Sequence, residues 1–218
     1  MKSIAALGLV AALLCALPAS ANENPSFRKP TYFGPMSASE KAFVATMQKD
    51  LNARFATAKD AEAAGYVRYT NADDTGAISY ANKQFQSSDV HHPSQLWYDK
   101  NGRLLGADYS RLYTSDTPPD LWGVNPGRWF EFDRHMHYVT KDASGNPVYD
   151  QYLADDDWLN AGGSLTDPKP ATLVKMGKIK DEKDVVTVFN FPKVWDLIVW
   201  VLPNPNGAFA YKNPNVKP

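Results

Sequence analysis

All four histidines of this 218-residue chain lie in two short clusters, His91-His92 and His135-Met136-His137. Side chains alternate between the two faces of a β-strand, so His135 and His137 would share one face. Neutral imidazole is a common ligand of transition metals. The sequence therefore predicts a site for a divalent transition metal (Zn, Cu, Mn or Fe), with ligands drawn from His91, His92, His135 and His137.

Two carboxylates, Glu131 and Asp133, precede the second cluster at the same two-residue spacing. If residues 128–140 form one long strand, these carboxylates share a face with His135 and His137. They could then complete a metal shell, or orient His135 or His137 as a general base, because imidazole titrates near neutral pH. The alternative is that the same alternation marks the solvated face of a half-buried antiparallel strand.

A second functional class, a non-catalytic ligand-binding or assembly module, is indicated by the six tryptophans. Trp122 and Trp158 fall in segments rich in Pro, Gly or Asp, where an exposed ring can stack on a ligand. Arg134 is a candidate for binding a ligand carboxylate with two hydrogen bonds. The tryptophans in apolar segments are expected in the core: Trp97, Trp195 and Trp200.

The charge of the chain is balanced, with 23 Lys and Arg against 24 Asp and Glu. A balanced charge favours neither nucleic acid nor an anionic membrane surface as a partner. We therefore expect a small-molecule ligand or substrate. Self-association into a homo-oligomer through an exposed strand edge stays open.

Residues 1–21 have the pattern of an export signal, with an apolar run from Ile4 to Leu17 and the small-residue ending Ala19–Ala21. The run is shorter than the roughly 20 residues needed to span a bilayer, so no membrane anchor is expected in the mature chain. The protein is expected to be periplasmic or secreted. The single cysteine, Cys15, falls inside this segment, so the mature chain would hold neither a disulfide nor a Cys-ligated metal.

Residues 22–218 are expected to form a single α+β domain, with N-terminal helices packed on a mostly antiparallel sheet that is curved or barrel-like. A capping-box pattern at Ser37–Glu40 predicts the start of the first helix. A second such pattern at Thr57–Asp60 predicts a short helix that stops at Gly65. The first helix has an apolar stripe at helical spacing: Val44, Met47, Leu51 and Phe55.

Beyond Gly65 the pattern changes to strands, and Asn101-Gly102 predicts a hairpin turn. Asp155–Asp157 is interpreted as an exposed turn before Trp158, with a calcium site as the alternative. From about residue 203 the repeated Asn-Pro pairs predict an irregular tail. The predicted strands are Tyr66–Thr70, Gln95–Asp99, Arg103–Tyr109, Arg128–Thr140, Val148–Leu153, Thr172–Met176, Val185–Phe191 and Trp195–Leu202.

Three segments together resemble a group of uncharacterised exported bacterial proteins. They are the alanine-rich helix end Ala58–Tyr66, the hairpin Gln95–Tyr109 and the closing Asn-Pro-x-Gly-x-Phe-Ala pattern at Asn204–Ala210. The resemblance implies export, but it carries no known activity, cofactor or catalytic residue. Members of the group often have a histidine in the strand before the closing pattern, whereas here Trp195–Trp200 has none.

Overall fold

The computed structural model describes residues 27–87 and 89–217. The export signal predicted for residues 1–21, with Cys15, lies outside the described residues. Two antiparallel sheets and a few helices make up the described chain, so the prediction of an α+β fold with mostly antiparallel strands is confirmed. Within the described ranges, no helix has the length and apolarity required to cross a membrane.

Helix α1 spans Ala38–Arg54 and begins at the predicted capping box. Ser37 Oγ accepts a hydrogen bond from the N–H of Glu40, and Glu40 Oε2 accepts one from the N–H of Ser37. The hydroxyl of Tyr109, on a strand, donates to Met47 Sδ on the buried side of the helix. The predicted apolar stripe is buried: Val44, Met47, Leu51 and Phe55.

Helix α2 spans Ala58–Ala63 and begins at the second predicted capping box, where Thr57 and Asp60 exchange hydrogen bonds between side chain and backbone. The helix ends just before Gly65, as predicted. Gly65 has a φ of 86°, which is a conformation that residues with a Cβ rarely adopt. A glycine is therefore needed at this position to turn the chain from α2 towards the first strands.

Two further helices form where the sequence pattern predicted a turn and a strand. Helix α3 spans Asp155–Asn160, where an exposed turn was expected, and helix α4 spans Pro170–Lys175. The prediction of a strand at Thr172–Met176 is wrong. Pro170 occupies the first turn of α4, where the missing N–H costs nothing and the fixed φ suits a helix. Burial of Leu173 then holds this short helix in place.

The larger sheet has the strand order β1-β6-β10-β5-β4-β3-β2, and all neighbouring strands are antiparallel. The hairpin predicted at Asn101-Gly102 joins β4 to β5, and Gly102 has a φ of 74°. Strand β3 was not predicted. The strands are β1 (Phe27–Arg28), β2 (Val67–Arg68), β3 (Ile78–Ala81), β4 (Gln95–Tyr98), β5 (Leu104–Leu112), β6 (Phe130–Phe132) and β10 (Val194–Trp200).

The smaller sheet contains β7 (His135–Lys141), β8 (Pro147–Leu153) and β9 (Val185–Phe191) in the order β8-β7-β9. The prediction of one long strand over residues 128–140 is wrong, because β6 belongs to the larger sheet and β7 to the smaller one. At the break, the carbonyl of Asp133 accepts from the ring of His135. Both sheets are open at their edges, and the described strands form no closed barrel.

The two faces of the larger sheet have different neighbours. Leu197 and Val199 of β10 belong to the same buried cluster as the apolar side of α1. Val194 of the same strand points to the opposite face of the sheet, where it clusters with Phe189 and Phe191 of the smaller sheet. The described part of the predicted tail forms neither helix nor strand, but its Phe209 is buried against the body. A cavity remains between the two sheets.

Candidate functional site

The cavity between the two sheets has a volume of about 380 Å³, and we refer to it as the inter-sheet cavity. Both sheets contribute to its walls. Seven Phe, Tyr or Trp side chains of the described residues line it, and a few buried polar side chains converge on the same space. The aromatic lining includes Tyr69, Trp97, Phe132, Phe191 and Trp200, and the polar lining includes Gln95, Asp108, His135 and His137.

His135 and His137 form a directly hydrogen-bonded pair on β7. Nδ1 of His135 lies 2.8 Å from the carbonyl oxygen of Asp133, so this nitrogen carries the proton and donates it. Nε2 of His135 is then a lone-pair acceptor, and it lies 2.8 Å from Nε2 of His137, which donates. Nδ1 of His137 is buried without a hydrogen-bond partner. The network thus assigns one tautomer to each ring.

Both imidazoles are uncharged near neutral pH. Burial lowers the pKa of His135, although the carbonyl and charge of Asp133 partly oppose this effect. Burial lowers the pKa of His137 further below its usual range, and a charge on His135 would lower it again. The two side chains are only 7% and 8% exposed, respectively. The alternative of a solvated strand face is therefore wrong for these two histidines.

A buried pair of carboxyl groups lies on β5 and β10. In the strand register, Asp108 is opposite Ile198 and Asp196 is opposite Ser110, so the two carboxyls are diagonal neighbours on one face. Asp108 is 6% exposed and Asp196 is 1% exposed. Burial raises the pKa of both groups, and the charge of Asp196 raises that of Asp108 further. Asp108 Oδ1 is buried without a hydrogen-bond partner and belongs to a residue that lines the inter-sheet cavity.

A chain of hydroxyls next to this pair locates a proton on Asp196. Ser94 Oγ lies 3.1 Å from the carbonyl oxygen of Asp108 and can only donate to it. Ser110 Oγ lies 2.6 Å from Ser94 Oγ, so Ser110 must donate there. Ser110 has no second proton for its short contact with Asp196 Oδ1. All three contacts are satisfied together only when Asp196 is protonated and donates to Ser110.

The aromatic wall is held in place by its own contacts. The ring of Tyr69 meets that of His137 edge-on with 4.6 Å between centroids, and its hydroxyl donates to Gln95 Oε1. The rings of Trp97 and Trp200 are 5.2 Å apart between centroids. A Cβ at Gly106, which lies opposite both, would be 3.3 Å from Trp200 Cα and 3.4 Å from the Trp97 ring. The closest atom would be the carbonyl oxygen of Val199, at 2.8 Å, so glycine at this position permits the close approach of the β10 backbone.

The other predicted histidines lie elsewhere. His91 and His92 are in the loop before β4 and do not line the inter-sheet cavity. Nδ1 of His92 is 3.0 Å from the carboxylate of Asp89, and its ring stacks on Phe85 with 4.6 Å between centroids. Across residues 27–87 and 89–217, no three His, Cys, Asp or Glu side chains converge on one point. The structure thus does not bring the two histidine clusters together.

The predicted carboxylates do not share a face with the histidines, because the chain changes sheets between them. Glu131 pairs with Lys193 at 2.8 Å and with Arg28, and Asp133 lies 3.7 Å from Lys193. Neither carboxylate lines the inter-sheet cavity. The prediction that Glu131 and Asp133 line up with His135 and His137 along one strand is therefore wrong.

The predicted ligand-binding loop residues also have other roles. Trp158 is fully buried and its Nε1 donates to the carbonyl of Ser164 at 3.0 Å, so the prediction of an exposed groove wall is wrong for this residue. Trp122 stacks on Phe43 of α1 with 5.7 Å between centroids. Arg134 pairs with Asp155 at 3.2 Å. None of the three predicted residues lines the inter-sheet cavity.

The residues that do line the inter-sheet cavity were missed or assigned to the core. Trp97 and Trp200 were expected in the core, and Trp200 is indeed buried, but both also face the cavity. Asp108 was not singled out. A sequence signal was available, since Asp108 and Asp196 are each the only carboxylate in a mostly apolar strand. An acid in such a setting must be paired, protonated or functional.

The polar wall can bind and orient a small molecule, exchange a proton with it, or hold a metal ion at the two Nε2 atoms. None of the known family models matches the chain, and no curated protein and no solved structure matches it. The function is therefore inferred from the geometry of the described residues alone.

Proposed function

We propose that this protein binds a small organic molecule in the inter-sheet cavity. The observation that supports this best is the cavity of about 380 Å³ with an aromatic wall and convergent buried polar groups. Ligand sites in proteins are typically such concave, mostly apolar pockets with few, well-placed polar groups. The export-signal pattern of residues 1–21 supports a periplasmic or extracellular location for this binding.

The unsatisfied polar atoms inside the cavity wall support the same proposal. Nδ1 of His137 and Oδ1 of Asp108 are buried and have no hydrogen-bond partner. A buried polar atom without a partner costs about 1–3 kcal/mol, so native proteins retain few of them. A ligand that supplies a partner to Asp108 Oδ1 would recover part of that cost on binding.

The proposal predicts that filling the cavity abolishes binding. 2-Naphthylmethanol is a suitable first probe, because it has a flat apolar body and a polar head. We expect Ser79→Phe, which places a ring inside the cavity from β3, to weaken binding by at least about tenfold, or about 1.4 kcal/mol. Isothermal titration calorimetry measures this, with circular dichroism to verify the fold of the variant.

The matched control is Val186→Phe, which adds a ring at an exposed position of β9, outside the cavity. This variant should bind the probe as the wild type does. Equal affinities for the wild type and Ser79→Phe would contradict the proposal, since binding would then occur at another surface.

A second candidate function is metal binding by the histidine pair. Two imidazole nitrogens bound to one Zn²⁺ at about 2.0–2.1 Å lie roughly 3 Å or more apart, and the two Nε2 atoms are already 2.8 Å apart. The hydrogen bond from His135 Nδ1 to Asp133 fixes the tautomer that a ligating Nε2 of His135 needs. Metal binding by His137 would require its proton to leave Nε2 for Nδ1. The remaining ligands would be water or a bound molecule.

Use of His137 as a general base in catalysis stays a prediction.

This candidate predicts that His135→Ala/His137→Ala removes binding of Co²⁺ or Zn²⁺ to protein purified without a tag. Loss of a ligand pair should lower the affinity by at least about a hundredfold, as followed by Co²⁺ absorption and Zn²⁺ competition. The matched control is His91→Ala/His92→Ala, which removes two exposed imidazoles and should leave affinity unchanged. The opposite pattern would contradict a metal site at the pair.

A further inference from the structure

We propose that the ligand of the inter-sheet cavity is an organic cation, an ammonium group carried on a flat apolar body. This inference rests on the proposed function, because it names the class of molecule that the same cavity takes. The features that carry it are the charges of the cavity lining, the aromatic side chains next to them, and one buried carboxyl oxygen, Oδ1 of Asp108, without a hydrogen-bond partner.

The charges of the cavity lining are all acidic. Three carboxyl groups line it, those of Asp73, Asp108 and Asp150, and no lysine or arginine of the described residues does. Asp73 Oδ1 accepts hydrogen bonds from Thr75, and Asp150 Oδ2 accepts them from Asn71. Oδ1 of Asp108 has no such donor. A cationic head group is the ligand chemistry that supplies both the missing donor and the missing positive charge.

Aromatic faces surround the same space. Trp97 and Trp200 stand 5.2 Å apart between ring centroids, and Tyr69 and Tyr211 also line the cavity. The electron-rich face of an aromatic ring attracts a cation, more strongly when the site is shielded from water. Such rings combined with a carboxylate form a site for an ammonium group, while the rest of the ligand packs on the apolar wall.

An anionic ligand does not fit this lining. Its charge would lie near three carboxyl groups with no lysine or arginine among the described lining residues, and like charges repel. An uncharged ligand can hydrogen-bond to Asp108 but leaves an ionised carboxyl without a counter-charge. A cation is the one class that supplies both a donor and a counter-charge when the carboxyl ionises.

Binding of the cation displaces a proton. In the free protein, burial and the neighbouring Asp196 raise the pKa of Asp108, which favours its protonated form. When the ammonium group arrives, the carboxyl releases that proton to the solvent and becomes the carboxylate partner of the ligand. The ammonium keeps its own protons, so one proton leaves for each ligand bound.

The affinity therefore increases with pH. Below the raised pKa of Asp108 the proton competes with the cation, and each pH unit changes the affinity by up to about tenfold. The other groups facing the cavity act in the same direction or remain neutral. Protonation of His135 or His137 at low pH adds a repelling positive charge, ionisation of Asp196 adds an attracting negative one, and the buried Tyr69 has a raised pKa and stays neutral.

The test compares three probes of one shape by isothermal titration calorimetry of the full mature chain. They are 2-naphthylmethylamine, a cation at neutral pH, the uncharged 2-naphthylmethanol, and the anion 2-naphthoate. At pH 8 we expect the amine to bind at least about tenfold more tightly than the alcohol, and the naphthoate more weakly than both. Titrations in buffers of different ionisation enthalpy should report proton release on amine binding that increases towards lower pH.

Asp108→Asn should remove both the preference for the amine and the proton release, while Asp120→Asn, an exposed control, should remove neither. If Asp108→Asn does not fold, the preference of the wild type for the amine decides the matter. Alcohol binding as tight as amine binding overturns the cation inference and leaves the proposed function intact. Tighter amine binding without proton release supports a cation site in which Asp108 is already ionised. Binding of none of the three probes overturns both.

Discussion

Replacement of Glu40 by alanine is expected to lower the free energy of unfolding by about 3–5 kcal/mol. Glu40 is 1% exposed, and its Oε1 lies 3.0 Å from Nε of Arg128, which is also buried. Its two oxygens also accept backbone N–H groups of Ser37 and Asn125. The alanine variant leaves the guanidinium of Arg128 buried without a counter-charge, and it removes half of the capping box of α1.

The matched control for this prediction is Asp50→Ala. Asp50 lies on the same helix and pairs with Arg54 at the same N–O distance, 3.0 Å, but both side chains are partly exposed to water. Exposed pairs contribute less than about 1 kcal/mol. Urea unfolding of the two variants measures both values. A cost for Glu40→Ala no larger than that for Asp50→Ala would show that the buried pair does not hold the N-terminal segment to the body.

Replacement of Asp196 by asparagine is expected to stabilise the protein at neutral pH and not at pH 4. Burial raises the pKa of Asp196 to about 7 in the folded state, whereas an exposed aspartate has its ordinary value of about 3.9 when unfolded. Between these values the folded state holds a proton that the unfolded state has lost. The stability of the wild type therefore falls by up to about 1.4 kcal/mol per pH unit in this window.

The asparagine variant lacks this titration and its amide can still donate to Ser110, as protonated Asp196 does. The difference between variant and wild type should grow from pH 4 to about 7 and then level off. Urea unfolding at intervals of one pH unit measures it, with Asp120→Asn as the exposed control. Parallel curves for the wild type and Asp196→Asn would mean that the folded chain buries Asp196 in its ionised form.

The parts of the fold that were predicted are those set by neighbouring residues. The capping boxes at Ser37 and Thr57 are satisfied within one turn of each helix, so the sequence pattern contains all the partners. The same holds for the hairpin at Asn101-Gly102, where the turn residues determine the geometry. Strand β9 has the predicted bounds because its apolar run is closed by Pro192.

The errors arose where distant contacts decide the structure. Nothing near Asp133 signals that the chain leaves one sheet for another, because the two sheets are completed by β1 and β10 on one side and β8 and β9 on the other. The apolar residues of Thr172–Met176 suit a strand or a helix equally. Trp158 looked exposed among acidic residues, but α3 turns its ring inward.

The candidate site shows the same division. The placement of His135 and His137 on one strand face follows from their spacing, and their Nε2 atoms are indeed 2.8 Å apart. The carboxyl that shares their cavity belongs to Asp108, which lies on a strand of the larger sheet, whereas the histidines lie on the smaller one. Only the pairing of β5 with β10 brings Asp108 next to Asp196, whose charge adds to the effect of burial in raising the pKa of Asp108.

The most direct test of the account is to locate a bound ligand. Isotope-filtered NOE spectra of the protein with 2-naphthylmethylamine report which side chains contact the naphthalene ring. Binding in the inter-sheet cavity predicts NOEs from that ring to the indole protons of Trp97 and Trp200 and to the imidazole protons of His135. NOEs confined to Trp122, or to side chains on the outer surface of either sheet, would contradict a ligand site between the sheets.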